Sequence, residues 1–192
     1  MYYFPTNNNR IISVGSLNVC GCSSLGTEWK REEIGRLFES RGMDVLALSE
    51  TKMKGRGEVM FGNVSGRKSG LMDERANASQ GVALIVKEEL MEYIREWKEV
   101  SSRMMWVRMK FGADSWAFVS TYGPGSEKTE DEKEVFWDEL RTCVQGFRAS
   151  EKVVVLGDLN VYFIQSYNFS IEILVNFQLL PTLFLDPLTC FR

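Results

Sequence analysis

A strand, a helix and a second strand follow one another near the start of this chain, and that order constrains the fold more than anything else in it. In "RIISVGSLNV" the apolar residues Ile12, Val14 and Leu17 are broken by small ones, and the run ends at Asn18. "GTEWKREEIGRLFESRGM" is helical in pattern. Thr27 is placed to cap it, Glu28, Glu32 and Glu33 fall early, Ile34, Leu37 and Phe38 make a narrow apolar stripe, and Gly42 stops it. "DVLALSET" (44–51) is then an apolar run of strand length with a polar end. Two strands joined through a helix are expected to lie parallel, by a crossover connection.

The remaining elements are less uniform. The glycine-rich and polar stretch from Lys52 to Gly81 reads mostly as loop, with one short strand around Val59 to Val64. "GVALIV", "MMWVRMKF" and "SWAFVSTYGP" read as strands, the last two forming a hairpin across a turn containing Gly112 and Asp114. From Glu127 to Phe147 the apolar residues Phe136, Leu140, Cys143, Val144 and Phe147 recur at helical spacing beside a charged face. "VVVLGDLN" (153–160) reads as a buried strand. Because hairpins link several of these strands, the expected fold class is α/β, a sandwich with two mixed sheets and not a doubly wound parallel fold.

The chain has 192 residues, 44% hydrophobic and 26% charged, which suits one globular domain with a full core. The expected organisation is an N-terminal extension over 1–10, a domain over 11–160 and a divergent hydrophobic tail over 161–192. A net charge of −3 excludes a global basic field that would hold a phosphate polymer by counterion release, so any nucleic-acid contact must be local or metal-assisted. Four irregularly spaced cysteines do not make a disulfide framework, and Cys20 with Cys22 lacks the second pair a zinc site needs. "MYYFPTNNNR" has no signal-peptide pattern, so the expectation is an intracellular protein, nuclear or cytoplasmic, with reduced thiols. The tail is apolar, but Asn168, Glu172, Asn176, Gln178 and Pro181 interrupt it, and no membrane span is expected.

Three strand candidates end in oxygen-rich side chains: Asn18, Glu50, and Asp158 with Asn160. Mg²⁺ binds through one or two carboxylates, keeps several waters and completes its shell from substrate phosphate, so one cleft could use all four. Period two in an extended segment would turn Asp158 and Asn160 to the same face. The plainer alternative is that each makes a turn by bonding its own backbone. Lys52, Lys54, Arg56, Arg67 and Lys68 concentrate positive charge after Glu50, as a nucleic-acid contact or as a solvated loop. Tyr122 ends its strand either as a core aromatic or as a site residue.

The succession "SLNV", "LALSETK", "QGVALIVK", "STYGPG" and "VVVLGDLN" resembles the endonuclease/exonuclease/phosphatase superfamily, and is most similar to the endonuclease domain of LINE-type retrotransposons and to craniofacial development protein 2-like proteins. The resemblance runs from about Ile11 to Asn160. It implies a four-layer, DNase I-like α/β sandwich and hydrolysis of nucleic-acid phosphodiesters with Mg²⁺, or Mn²⁺ in its place, DNA being the first partner to expect. It further implies Glu50 as principal metal ligand, with Asn18 holding the metal's waters or the phosphate. Asp158 would orient or deprotonate the attacking water, Asn160 would bond a phosphoryl oxygen, and Tyr122 would contact the phosphate. Lys52, Lys54 and Arg56 would meet the nucleic-acid backbone.

This sequence departs from the family pattern at Gly125, where an asparagine often stands, and at its end. The late Ser-Asp-His motif has no counterpart, since the chain contains no histidine, and neither Asp186 nor Glu172 sits in matching words. The expectation is a C-terminally incomplete copy with weak or absent activity. Its rivals are a non-catalytic remnant that binds nucleic acid or protein, and a non-folding product of a decayed retroelement.

Overall fold

A computed structural model describes residues 1–7, 9–23, 27–72, 79–160 and the strand 171–175. Its elements are β1 (Tyr2–Pro5), β2 (Ile11–Asn18), α1 (Glu28–Ser40), β3 (Val45–Ser49), β4 (Arg56–Phe61), β5 (Val64–Ser69), β6 (Val82–Val86), a 3₁₀ helix (Glu88–Tyr93), β7 (Ile94–Ser101), β8 (Met104–Phe111), β9 (Asp114–Tyr122), α2 (Glu130–Gln145), β10 (Lys152–Asp158) and β11 (Ile171–Val175). One sheet runs β1-β2-β3-β6-β5-β4 and the other β11-β10-β9-β8-β7. Both are mixed. The crossover through α1 leaves β2 and β3 parallel, as the strand-helix-strand order requires, while β3 and β6 are antiparallel.

Alternation along each strand sorts the side chains into three cores, and the cores define four layers. Val14, Val45 and Leu84 face Val107, Phe118 and Leu156 between the sheets. On the outer face of the first sheet Leu46, Leu48 and Ile85 meet Ile34 and Phe38 of α1. On the outer face of the second, Trp106, Val119 and Val155 meet Phe136 and Leu140 of α2. The order helix, sheet, sheet, helix is the expected sandwich. α2 starts with a reciprocal capping box in which the Thr129 hydroxyl accepts from the Glu132 N–H and the Glu132 carboxylate accepts from the Thr129 N–H.

Close approach of α1 to the sheet depends on Gly35, where a Cβ would be driven into the carbonyl oxygen of Phe61. Gly35→Ala is therefore expected to destabilise the fold by about 1–3 kcal/mol, the usual cost of overpacking a tight contact. Urea unfolding followed by circular dichroism reads this directly, and an unchanged midpoint would contradict the packing of α1 on β4.

Three segments differ from their sequence reading. Tyr2–Pro5, within the stretch read as an extension, pairs antiparallel with β2 as an edge strand. The single strand expected around Val59 to Val64 is a hairpin, because Gly62 takes φ +59° and turns the chain between β4 and β5. Between Lys87 and Arg103, a stretch to which the sequence reading assigns no element, lie the mostly exposed 3₁₀ helix and β7, an edge strand with half-buried and exposed residues in no clean alternation. Of the tail, Ile171–Val175 pairs parallel with β10; the rest of 161–192 lies outside the described residues. Among the described residues no helix is long and apolar enough to cross a membrane.

Cys22 and Cys143 are free thiols. Burial pushes each up to about 11. An unfolded thiol ionises near ~8.5, so the unfolded chain releases these protons first as pH rises. Their stabilising contribution is thus complete below that value and lost as pH climbs through about 11. For Cys22, which is fully buried, the loss is expected to be on the order of 2 kcal/mol. Urea midpoints should be flat from neutral pH to mildly alkaline pH and then fall; a midpoint independent of pH across that range would contradict it.

Candidate active site

Four strands deliver their last residues to one rim. In the parallel pair β2 and β3, Asn18 lies opposite Ser49, so Glu50 emerges next to it. In the parallel pair β9 and β10, Tyr122 lies opposite Asp158. The two sheets are tied across this rim by the Asn18 amide, whose Nδ2 donates to Asp158 Oδ2 at 2.9 Å. Carboxyl ends of parallel strands are where open α/β sheets place ligands, because the chain leaves the sheet there in loops.

Each of the two bonded side chains also makes a turn, so the plainer alternative holds alongside the convergence. Asn18 Oδ1 accepts from the Cys20 N–H at 3.0 Å, and Asp158 Oδ1 accepts from the Asn160 N–H at 3.1 Å. One polar atom shapes the loop and the other faces the site. The backbone is strained accordingly. Cys20, Glu50, Lys52 and Asn160 all have φ between 48° and 55°, a left-handed conformation that costs a non-glycine residue roughly 1–3 kcal/mol. Among the described non-glycine residues with positive φ, only Asn9 lies elsewhere, in the turn before β2.

The left-handed turn at Asn160 corrects one premise of the sequence reading. β10 ends at Asp158, because the carboxylate captures the Asn160 N–H and bends the chain. Asn160 is therefore not on an extended segment in phase with Asp158. Its Nδ2 donates instead to the Gly123 carbonyl at 2.9 Å, and Gly123 N–H donates to the Asp158 carbonyl at 2.7 Å. A Cβ at Gly123 would collide with the Leu159 carbonyl, so only glycine lets the two loops approach this closely.

Glu50 is held from both sides. Its carbonyl accepts from the Gly21 N–H at 2.7 Å, and its carboxylate, 21% exposed, lies 3.2 Å from Lys52 Nζ. Tyr122 is half-buried. Burial first, and then the nearby Glu50 carboxylate, push its phenol up to about 12, against the opposing pull of Arg103. At neutral pH the phenol is a neutral hydrogen-bond donor.

The strand-end groups are oxygen donors and amides, the set that suits a hard divalent cation. Among the described residues no group of three or more His, Cys, Asp and Glu side chains gathers. The Lys52 ammonium already beside Glu50 shows that this carboxylate accommodates a cation. Glu50 would be the principal ligand of such an ion, with Asn18 placed to hold its waters, while both Asp158 carboxylate oxygens are engaged by the Asn18 amide and the Asn160 N–H.

The cations are redistributed relative to the sequence reading. Successive residues of a strand face opposite ways. Arg67 accordingly turns inward, pairing with Glu99 at 3.1 Å and lying over the Trp97 ring. Arg56 donates to the Val100 carbonyl at 3.2 Å. Lys52, Lys54 and Lys68 remain together, lining a cavity that Arg31 of α1 also enters.

Arg103 is the site residue that sequence reasoning missed. Its guanidinium lies 5.2 Å from the centroid of the Tyr122 ring. Nη1 donates to the carbonyls of Tyr122, at 3.0 Å, and Gly123, at 3.2 Å. The one available signal was the hairpin register: Phe111 opposite Asp114 and Met104 opposite Thr121 put Arg103 beside Tyr122.

Comparison with known proteins agrees with this architecture. The model of the endonuclease/exonuclease/phosphatase family matches residues 15–171, past the point at Asn160 where the sequence reading ended the resemblance. The fold is shared with the endonuclease domain of TRAS1, a telomere-specific non-LTR retrotransposon, at 12% identity and TM-score 0.52, over 77% of this chain and 58% of that one. It is shared with D. rerio TDP2 complexed with single strand DNA product, at 10% identity and TM-score 0.56, over 79% of this chain and 62% of that one. For the AP endonuclease LMAP from Leishmania major the values are 16% and 0.55, over 81% of this chain and 57% of that one. The chain thus spans less than two thirds of the length of each. No curated protein matches it.

Proposed function

We propose, since this chain belongs to the endonuclease/exonuclease/phosphatase family, that its rim hydrolyses nucleic-acid phosphodiesters with the help of Mg²⁺ or Mn²⁺. The observation that carries this reading is the convergence of Asn18, Glu50, Tyr122 and Asp158 at the ends of four strands, with the Asn18–Asp158 bond joining the sheets. A bound divalent ion would neutralise charge that builds on the phosphoryl oxygens.

The chain's own residues take the other roles. Asp158 holds the attacking water and accepts its proton, while Asn18 fixes that carboxylate's orientation through Nδ2. Tyr122, whose phenol is protonated at neutral pH, donates to the phosphate. Asn160 keeps one amide hydrogen on Gly123 and offers its second to a phosphoryl oxygen. Lys52, Lys54 and Arg56 contact the backbone of the strand. With no histidine in the sequence, no imidazole assists departure of the leaving oxygen, and turnover by this polypeptide is weak.

Nicking of supercoiled plasmid with Mg²⁺, with chelator, and with the Glu50→Gln/Asp158→Asn variant tests the reading. Slow, metal-dependent nicking by the wild type alone is expected. A wild type that never exceeds the variant, yet binds DNA, would replace this reading with that of a non-catalytic binding module.

A further inference from the structure

We infer that Lys30 and Arg31, at the start of α1, are positioning residues for Glu50: they fasten the loop after β2, and that loop holds the turn from which the Glu50 carboxylate reaches the rim. This rests on the proposed function, in which Glu50 is the principal ligand of the divalent ion, and extends it to a helix outside the strand-end cluster.

The turn needs holding because its backbone is unfavourable. β3 ends at Ser49, and Glu50 and Lys52 then take φ 53° and 55° on either side of Thr51, a conformation that persists in non-glycine residues only where the surroundings impose it. Two neighbouring residues of the β2 loop supply the constraint. The Gly21 N–H donates to the Glu50 carbonyl at 2.7 Å, and the Cys22 N–H donates to the Thr51 carbonyl at 2.9 Å.

The same two residues are gripped from α1. Lys30 Nζ donates to the Gly21 carbonyl at 3.3 Å, and Arg31 Nη1 donates to the Cys22 carbonyl at 2.9 Å. The Gly21 carbonyl and the Cys22 N–H belong to one planar peptide, so a single rigid group links the Lys30 ammonium to the Thr51 carbonyl. Both donors are cationic, which makes these bonds stronger than neutral ones. Both also sit where a helix disfavours positive charge, since its N-terminal end is the positive end of the macrodipole. A local rule broken for the sake of bonds to a site loop is what a positioning role produces.

The test is Mn²⁺ binding to the full chain without substrate, read by electron paramagnetic resonance, beside amide exchange at Gly21 and Cys22 read by nuclear magnetic resonance. Lys30→Met/Arg31→Met is expected to weaken Mn²⁺ binding by ~10-fold, the scale for losing groups that orient a metal ligand, and to speed exchange of both amides by ~10-fold. The sign is diagnostic. Removing two positive charges would by field alone tighten binding of a cation, whereas a loosened Glu50 weakens it. Arg31→Met, which keeps the Lys30 bond, should show both changes at about 3-fold, and Lys30→Arg/Arg31→Lys should recover most of the affinity. Arg36→Met/Arg41→Met, the same charge change farther along α1, should alter neither readout.

Unchanged exchange in Lys30→Met/Arg31→Met would overturn the clamp. Faster exchange with Mn²⁺ bound as tightly as in the wild type, or more tightly, would overturn its connection to Glu50. Mn²⁺ bound equally by the wild type and Glu50→Gln would instead defeat the proposed function, and faster exchange would then leave the clamp on the Glu50 turn standing.

Discussion

Asp158→Asn is expected to reduce metal-dependent phosphodiester cleavage by about 10²- to 10⁴-fold, the range for losing a positioned general base. The size of the effect alone would not separate chemistry from structure, because the same exchange breaks the link between the sheets. In the wild type Asp158 Oδ2 accepts from Asn18 Nδ2 while Oδ1 accepts from the Asn160 N–H. An amide at position 158 keeps the second bond and sets its NH₂ against that of Asn18. Rotating Asn18 to repair this would give up its acceptance from the Cys20 N–H. The single variant should therefore also lose about 1 kcal/mol of stability, the lower end of the cost of an unmatched donor, because this bond is only part-buried.

The reciprocal pair removes that ambiguity. With Asn18→Asp and Asp158→Asn together, the carboxylate at 18 accepts both from Cys20 N–H and from the amide at 158, whose oxygen still receives the Asn160 N–H. Every hydrogen bond is restored and the carboxylate has moved to the neighbouring strand. Stability by urea unfolding should return to nearly the wild-type value, while cleavage in single-turnover assays stays low. Recovery of both would mean that the position of the carboxylate is immaterial, which would overturn the role given to Asp158.

How much of this was legible in the sequence depended on whether the signal was local. Crossover, hairpin and α2 are written in runs of ten or more residues with one periodicity each, and all three formed at nearly the expected bounds. The strand-end residues were legible because a polar group terminating an apolar run is itself a local pattern. Their mutual geometry was not, since the Asn18–Asp158 bond spans 140 positions. Asn160 was misplaced for a related reason: period two holds only while a strand continues, and the capture of its N–H by Asp158 ended the strand two residues early. The cations after Glu50 formed one cluster in sequence, but neighbours on β5 face opposite sides of a sheet, so Arg67 and Lys68 part company. β7 carries charged and apolar residues on an edge exposed to solvent on one side, and no alternation survives there.

Arg103 shows what register adds, and it carries the second large expectation: Arg103→Met should lower the rate constant for cleavage by about 10²-fold, the scale associated with small misplacement of reacting groups. The guanidinium is engaged by the protein itself. It lies over the Tyr122 ring and bonds the carbonyls of Tyr122 and Gly123, and Gly123 in turn takes the Asn160 amide and donates to the Asp158 carbonyl. Removing it releases one corner to which three site residues are fastened. A positioning role of this kind predicts a fall in kcat with KM for DNA unchanged, whereas lost DNA contact would raise KM. Arg103→Lys keeps the charge over the ring and gives up the paired carbonyl bonds, so it should recover only part of the rate. An independent readout is the phenol itself. Burial and the Glu50 carboxylate push Tyr122 up while Arg103 pulls it down, so without the guanidinium its ionisation should move to still higher pH in an ultraviolet titration. A variant with unaltered kcat would remove Arg103 from the site. A lowered kcat with an unmoved phenol would mean that the ring and the guanidinium are not in contact, and that the rate is lost through the Gly123 corner alone.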